Sequence, residues 1–477
     1  MYCYTDKIIN KNVNCYVYFS CGDINKNINL LKNKFGIDLP DNLLEFLSSN
    51  KSKIFNFLAN GNMFVIVKVD ENKCSLETLE KMIERVSFLI KEERFIKVAQ
   101  IILAPIPKFI TFQVMKFIFY QYEFTKLKSK ARKLKNKQSK RCTIYFCGVK
   151  KAKDEIEMAI KQADIIREMR DMVNSPANIM DSTAFVESIK QLKKQRGVSM
   201  TLLNEAKLQK ENLNLILSVN RGSNNKPYML ILEWKPKRGE KPIALVGKGV
   251  TFDAGGINVK HGAFHDMKTD MTGAAVVLSV FKLAVLNNLN KNIVAFIPLV
   301  ENMVGDRATR PGDVITSHSG LTVEILNTDA EGRLIMADAI SYSKKYKPTM
   351  IIDVATLTGQ AGSIFNNMSI IMMGNSKKIQ GDMEKAANKV NEKIWPLPLW
   401  KEYDKNLKST VADVKNISLS ARSGTIIGGT FLKHFVPTKT RWMHLDIAGV
   451  SYFENTKYMG ATAISVMSLF EMLKITH

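Results

Sequence analysis

The feature that most constrains this chain is a pair of acidic turns, each set between a strand-like run and a helical run. In the later one, Leu321 to Leu326 is a mostly apolar, partly β-branched run of strand type, and Ile335 to Tyr342 is an alanine-bearing run of helical type. The octet between them, Asn327 to Leu334, reads Asn-Thr-Asp-Ala-Glu-Gly-Arg-Leu and is therefore a strand-to-helix turn. Asp329 and Glu331 are two apart, so in a locally extended segment they point the same way. Two carboxylates aimed at one point repel unless something positive sits between them. In open α/β sheets, ligands gather where strands end and helices begin. One such turn alone means little, because Asp and Gly are ordinary turn residues.

The earlier turn repeats the design. Pro242 to Val246 is strand-like, Gly247, Lys248 and Gly249 follow, and Asp253 stands just before Gly255 and Gly256. Paired glycines let the backbone come close to a bound ion or substrate. Lys260 comes next, and Asp270 precedes a helical run from Thr272 to Leu286, which places it at a helix N-terminus.

Together the two stretches resemble the leucyl aminopeptidase, or cytosol aminopeptidase, family of two-metal exopeptidases. The likeness is close at Val246 to Asp253, at Asp270 to Ala275 and across the octet. Weaker echoes follow at Glu301 to Met303, Arg310 to Asp313, Asp353 to Gly359, Trp395 to Leu399, Gly428 to Thr430 and Trp442 to Gly449. The resemblance thus covers roughly the last two-thirds of the chain.

The resemblance implies a metal-dependent aminopeptidase that removes a Leu-like N-terminal residue from peptides with a free N-terminus, using a metal-activated water. It implies two divalent ions per subunit, zinc or manganese with magnesium as a third option. By the same likeness Asp253 and Glu331 bridge the pair, Asp329 serves one ion, and Asp270 and the neutral amine of Lys248 serve the other. Four carboxylates against two dications leave a charge near zero, tolerable in a buried crevice. Lys260 and Arg333 are the implied catalytic residues. Lys260 stabilises the oxyanion, and Arg333 holds a bicarbonate that acts as general base, so that no side-chain base is needed.

For the pocket that takes the substrate's first side chain, the family pattern points to Met267, Thr356, Leu357, Gly359 and Ala448, a small and largely apolar set suited to Leu or Met. Two departures stand out. The loop from Lys260 to Asp270 is one residue shorter than the family pattern, with His261 where a Pro is customary, and Ser451 stands where some relatives carry a larger apolar residue near the pocket. Of the six histidines, only His261 and His265 lie near a motif, and a lone His of this kind is more often structural than a ligand.

Alternating strand-like and helix-like runs give the fold class as α/β in two domains. Residues 1–155 read as a smaller N-terminal α/β domain: strands at Val13 to Phe19, Met63 to Val69, Val98 to Leu103 and Thr143 to Val149, helices at Leu76 to Lys91 and Phe112 to Lys130. The family's N-terminal domain resembles the macro domain and serves assembly. A connecting helix over 156–175, within the charged run Lys151 to Val173, leads to the larger α/β catalytic domain over 176–477 with a mixed central sheet. Its strand candidates are Asn214 to Val219, Tyr228 to Glu233, Pro242 to Val246, Asn292 to Leu299 and Thr349 to Val354. A homohexamer is the assembly the resemblance implies.

A net charge of +24 needs an account. Residues 1–150 carry 26 Lys and Arg against 13 Asp and Glu, and the focus is Lys126 to Arg141, where basic residues recur with no acid between them. Such a surface can hold nucleic acid by counterion release, so a nucleic-acid-binding protein built on an aminopeptidase fold is the alternative reading. No aromatic interleaving or recognised binding module accompanies the charge. Cys3, Cys15, Cys21, Cys74, Cys142 and Cys147 lack the paired spacing of a zinc site and read as reduced thiols. No apolar stretch reads as long enough to cross a bilayer, and the N-terminus has no leader pattern, so no membrane partner and a cytoplasmic protein are the expectations.

Overall fold

The computed structural model describes residues 2–5, 13–21, 32, 40, 42–43, 46, 53–69, 75–93, 98–102, 109–129, 143–147, 152–262, 264–454 and 460–476. They form two units, Met1–Arg167 and Glu168–His477, and the division falls inside the helix Lys153–Asn174.

In the first unit a six-stranded sheet runs in the order Tyr2–Thr5, Thr143–Cys147, Val98–Ile102, Cys15–Cys21, Asn62–Val69, Lys53–Ala59. All neighbours are parallel except the last two, an antiparallel hairpin turned through Asn60 and Gly61, both at positive φ. That is the conformation a two-residue hairpin loop requires. Leu76–Glu92 begins at Ser75, whose side chain accepts from Thr78 N, and packs against Ile110–Tyr120. The latter helix stops ten residues short of the expected Lys130. Its last turn is tied elsewhere: Lys91 Nζ donates to the carbonyls of Tyr120 and Tyr122, and Gln121 donates to Ser87 O. A cation on the terminal carbonyls of a helix favours an end there. Most of the basic run, residues 130–141, lies outside the described residues, as do Cys74 and Cys142. Among the described cysteines, Cys3, Cys15 and Cys147 are free thiols.

The second unit is built on a mixed nine-stranded sheet. Its order is Ile394–Pro396, Ile370–Gly374, Arg441–Asp446, Met350–Ala355, Ile243–Gly247, Ile293–Asn302, Tyr228–Trp234, Val198–Asn204, with Gly249–Asp253 alongside Ile293–Asn302. The centre, from Arg441–Asp446 to Ile293–Asn302, is parallel. These strands are buried on both faces and are apolar without alternation, as interior parallel strands are. Helices Asn214–Asn220, Gly332–Tyr342 and Gly424–Lys433 share a core with Ala244, Val246, Val294, Phe296, Ile351 and Trp442. Because the central strands run one way, their C-terminal ends bring Asp446, Thr356, Lys248 and Asn302 to one edge of the sheet.

Two sequence expectations fail here. Asn214 to Val219 is a helix, not a strand. Leu215, Ile216 and Val219 fit one helical face, and the buried Asp338 carboxylate accepts from Leu215 N at 2.8 Å and Ile216 N at 3.2 Å, capping the first turn from another element. The second concerns membrane length. Met267–Leu286 is long and apolar enough to cross a bilayer, with mean hydropathy 1.6, but 83% of its apolar 18-residue stretch is buried inside the protein. An all-round apolar helix of this kind is a core element.

Candidate metal centre

Lys248 sits where the strand Ile243–Gly247 ends. Its main chain is fixed on both sides, N–H to Val354 O at 3.0 Å and carbonyl to Ala274 N at 2.8 Å. The side chain, 2% exposed, reaches across to place Nζ 2.7 Å from Asp270 Oδ1, 2.9 Å from Glu331 Oε1 and 2.9 Å from Thr356 O. Asp270 lies in the 3-10 turn Met267–Met271 that leads into the helix Thr272–Leu286, and its Oδ1 also accepts from Thr356 Oγ1 at 2.8 Å. Its other oxygen, Oδ2, is buried with no hydrogen-bond partner among the described residues.

Asp253 ends the strand Gly249–Asp253 and is 1% exposed. Its Oδ1 accepts from Gly255 N at 2.9 Å and Asn302 Nδ2 at 2.7 Å, and its Oδ2 is 2.7 Å from Lys260 Nζ. Gly255 has φ +93°, and a Cβ there would meet Asn258 O at 2.3 Å, so this turn needs glycine. Lys260 also pairs with Asp329. Asp329 and Glu331 come from the octet: Asp329 N donates to Asn327 Oδ1 at 2.8 Å, and Glu331 stands at the N-cap position of the helix Gly332–Tyr342 without a side-chain capping bond, which leaves its carboxylate to Lys248. Donor atoms of Asp253, Asp329 and Glu331 lie within 4.8 Å of one another.

Asparagines and a threonine that the sequence reading passed over hold these segments in place. Asn302 Nδ2 donates to Thr328 O at 3.1 Å as well as to Asp253. Asn258 and Thr328 bond reciprocally, Asn258 N to Thr328 Oγ1 and Thr328 N to Asn258 Oδ1. The two acidic turns, some seventy residues apart in the chain, are thereby knotted into one wall. Asn302 at least fell within the echo Glu301 to Met303. Asn258 had no local signal.

The electrostatics follow from four carboxylates sharing two ammoniums. Burial pushes Asp253 up to about 7, with Glu331 adding to the shift, and burial likewise raises Asp270 and Asp329. Burial works against the charge of Glu331 too, but Lys248 and Lys260 outweigh it and leave that carboxyl below its usual range. For both lysines burial pulls the pKa down, and the carboxylates, Asp270 and Glu331 for Lys248, Asp253 and Glu331 for Lys260, more than reverse it. A set of buried oxygens that strains to ionise, with Asp270 Oδ2 unbonded, suits hard divalent cations. The residues present therefore fit divalent-cation binding, with the donor atoms of Asp253, Asp329 and Glu331 gathered beside the Lys248–Asp270 pair.

Arg333 follows Glu331 by two residues and is 7% exposed. Burial lowers its pKa to about 10. Nη1 donates to Asn416 O at 2.7 Å, and the rest of its N–H donors have no protein partner among the described residues. Such a fork is matched to a small oxyanion.

Of the expected pocket residues, Thr356, Leu357 and Ala448 are drawn together. Asp446 Oδ1 accepts from Leu357 N at 3.1 Å and Ala448 N at 3.2 Å, and Thr356 reaches Asp270. Ala448 borders a small apolar cluster of Ala361, Ile371, Met373, Phe365, Leu397 and Leu399. Met267 opens the turn that carries Asp270, and Gly359 is exposed with open space where a Cβ would stand. Ser451 is buried behind Ala448, its Oγ 3.4 Å from the Ala448 carbonyl. His261 is exposed, and His265 meets Glu454 at 2.8 Å at the surface.

A parallel-centred α/β unit that gathers acidic turns at its strand ends around cation positions defines a metal-dependent hydrolase. The chain belongs to the cytosol aminopeptidase family, metal-dependent aminopeptidases whose catalytic-domain model matches residues 167–470. It is 40% identical over 366 residues to a probable cytosol aminopeptidase of Chlorobaculum tepidum, covering 74% of this chain and 72% of that one. A probable cytosol aminopeptidase of Thioalkalivibrio sulfidiphilus is 44% identical over 307 residues, 64% of this chain and 61% of the relative. Among solved structures the bottromycin maturation enzyme BotP shares the fold, with a TM-score of 0.83 at 23% identity over 97% of this chain and 99% of that one. A second structure of BotP is a complex with Mn.

Proposed function

We propose that this aminopeptidase uses two divalent ions, held by Lys248, Asp253, Asp270, Asp329 and Glu331, to hydrolyse peptides after a Leu-like N-terminal residue. The carrying observation is the convergence of Asp253, Asp329 and Glu331 donor atoms within 4.8 Å, beside the Lys248–Asp270 pair. The presence of Mn in a BotP structure supports manganese as one suitable ion. When bound, such ions supply Lewis acidity, polarising a carbonyl oxygen and acidifying water. Lys248 must release its proton to act as a ligand, which a nearby dication favours. Lys260 lines the same wall, where its ammonium is placed to stabilise negative charge as the scissile carbonyl becomes tetrahedral.

Arg333 keeps its unpaired donors for an oxyanion, and bicarbonate held there would supply a base. That assignment leaves the four carboxylates free of any proton-transfer duty. Thr356, Leu357, Ala448, Met267 and Gly359 frame the pocket for the first side chain, a small and largely apolar set suited to Leu or Met. The family resemblance supports a homohexamer, which sedimentation of the purified chain tests directly.

Leucine amide hydrolysis with added Mn2+ or Zn2+ tests the reading. Wild type is expected to be active and Asp329→Ala inactive through loss of metal. Lys260→Ala is expected to retain metal but to lose about 100-fold or more in kcat. Equal activity in wild type and Asp329→Ala would defeat the site assignment.

A further inference from the structure

Val414–Lys415 is the last strand of a small three-stranded sheet, paired with Thr322–Glu324, and the next residue, Asn416, is fully buried. Its N–H continues the ladder to Glu324 O at 2.9 Å. Beyond that point the side chain replaces the backbone as the partner. Oδ1 accepts from Leu326 N at 2.9 Å and Asn327 N at 3.3 Å, while Nδ2 donates to Asn327 O at 2.7 Å. The carbonyl released from the ladder accepts from Arg333 Nη1 at 2.7 Å.

One residue thus grips the chain two positions before Asp329 and the guanidinium two positions after Glu331. The amide is required for this. Aspartate offers the acceptor but no donor, so Asn327 O would face a second oxygen, and glutamine is one methylene too long for the same spacing. A buried polar group must be partnered whatever its role, so a plain stabilising function is the competing account. What that account does not explain is the second grip, since the Asn416 carbonyl is the sole protein partner of Arg333 among the described residues.

We propose that Asn416 is a positioning residue for the hydrolysis, its amide setting where the acidic octet begins and its carbonyl setting Arg333 against that octet. The assignment rests on the reading of the site as a metal-dependent peptidase centre. Neither Asn416 nor its neighbours Lys415 and Ile417 fall in any motif of the resemblance, so it is an addition to the expected site.

The test compares Asn416→Asp with Asn292→Asp in the full chain loaded with Mn2+. Asn292 is a matched control: it is buried, its Nδ2 donates to Lys237 O at 2.7 Å and Glu240 O at 2.8 Å, and its Oδ1 accepts from Lys237 N at 3.0 Å. It precedes the strand Ile293–Asn302 at the end opposite Asn302. Three quantities are read: Tm, the kcat and KM for leucine amide, and Mn2+ affinity by calorimetric titration. Both variants are expected to lose similar Tm. Asn416→Asp is expected to lose about 10-fold to 100-fold in kcat with KM changed by less than about threefold, while Asn292→Asp keeps wild-type kcat. If the two variants lose Tm alike and both keep kcat, Asn416 is structural only and the proposal is overturned. If wild type itself proves inactive with Mn2+, the peptidase reading has failed, and metal affinity decides: about 10-fold weaker binding in Asn416→Asp alone supports the positioning role, and equal affinities overturn it.

Discussion

Gly332 and the side chain of Lys248 occupy one space: a Cβ on Gly332 would lie 2.3 Å from Lys248 Cε and 2.6 Å from its Nζ. The start of the Gly332–Tyr342 helix and the proposed lysine ligand can therefore coexist only because that position has no side chain. Gly332→Ala should leave helix content unchanged, since Ala favours helix over Gly by about 1 kcal/mol. The flexible lysine end is what gives way. Loss of about 10-fold or more in Mn2+ affinity, read by metal content after dialysis, is the expected outcome. Wild-type affinity in this variant would mean that Lys248 takes no part in holding metal.

Metal binding should also register as stability. Burial raises Asp253, Asp270 and Asp329, and two ammoniums serve four carboxylates, so the folded state gains when more positive charge enters. At a free Mn2+ concentration of 100 times its Kd the gain is about 2.7 kcal/mol. Scanning calorimetry after chelation and again after adding Mn2+ should show Tm falling and then recovering. Asp270→Ala should recover less, because its Oδ2 is buried with no hydrogen-bond partner among the described residues. A Tm indifferent to Mn2+ would contradict the fit of this donor set.

Asp338 provides a pH test at a carboxyl outside the proposed set of metal ligands. Burial pushes its carboxyl up to about 7, although N–H groups of His318, Ile216 and Leu215 pull the other way. An acid whose folded pKa lies above its unfolded value of 3.8 binds more protons when folded, so its contribution to stability falls as pH rises from about 4 to about 7 and is level above that. Asp338→Asn removes this dependence and one acceptor with it. Its Tm should lie below wild type throughout, and the gap should narrow by about 2–3 kcal/mol in equivalent stability between pH 5 and pH 8. A gap that widens with pH would show that the backbone donors, not burial, govern this group.

The sequence made the acidic turns legible because their information is local. Asp329 and Glu331 sit two apart in a turn whose flanking runs announce strand and helix, and Asp253 is marked by the glycines after it. The α/β class was equally readable from alternating runs, and the mixed sheet was found as expected. What stayed hidden depends on partners far along the chain. Asn214 to Val219 is apolar enough for a strand, and it becomes a helix because Asp338, more than a hundred residues away, caps its first turn. The helix Ile110–Tyr120 ends early because Lys91 takes its terminal carbonyls. Asn416, one ordinary asparagine among many, gains its meaning only when Leu326, Asn327 and Arg333 close around it.

The helix Thr272–Leu286 leaves a last consequence, which concerns the growing chain rather than the finished one. Its residues meet Ile243–Gly247, already synthesised, but also Val466–Ile475, which emerges from the ribosome almost two hundred residues later. For that interval an oily rod is only half sheathed. Chaperone engagement during synthesis should therefore centre on this segment, and its release should await the carboxyl-terminal helix.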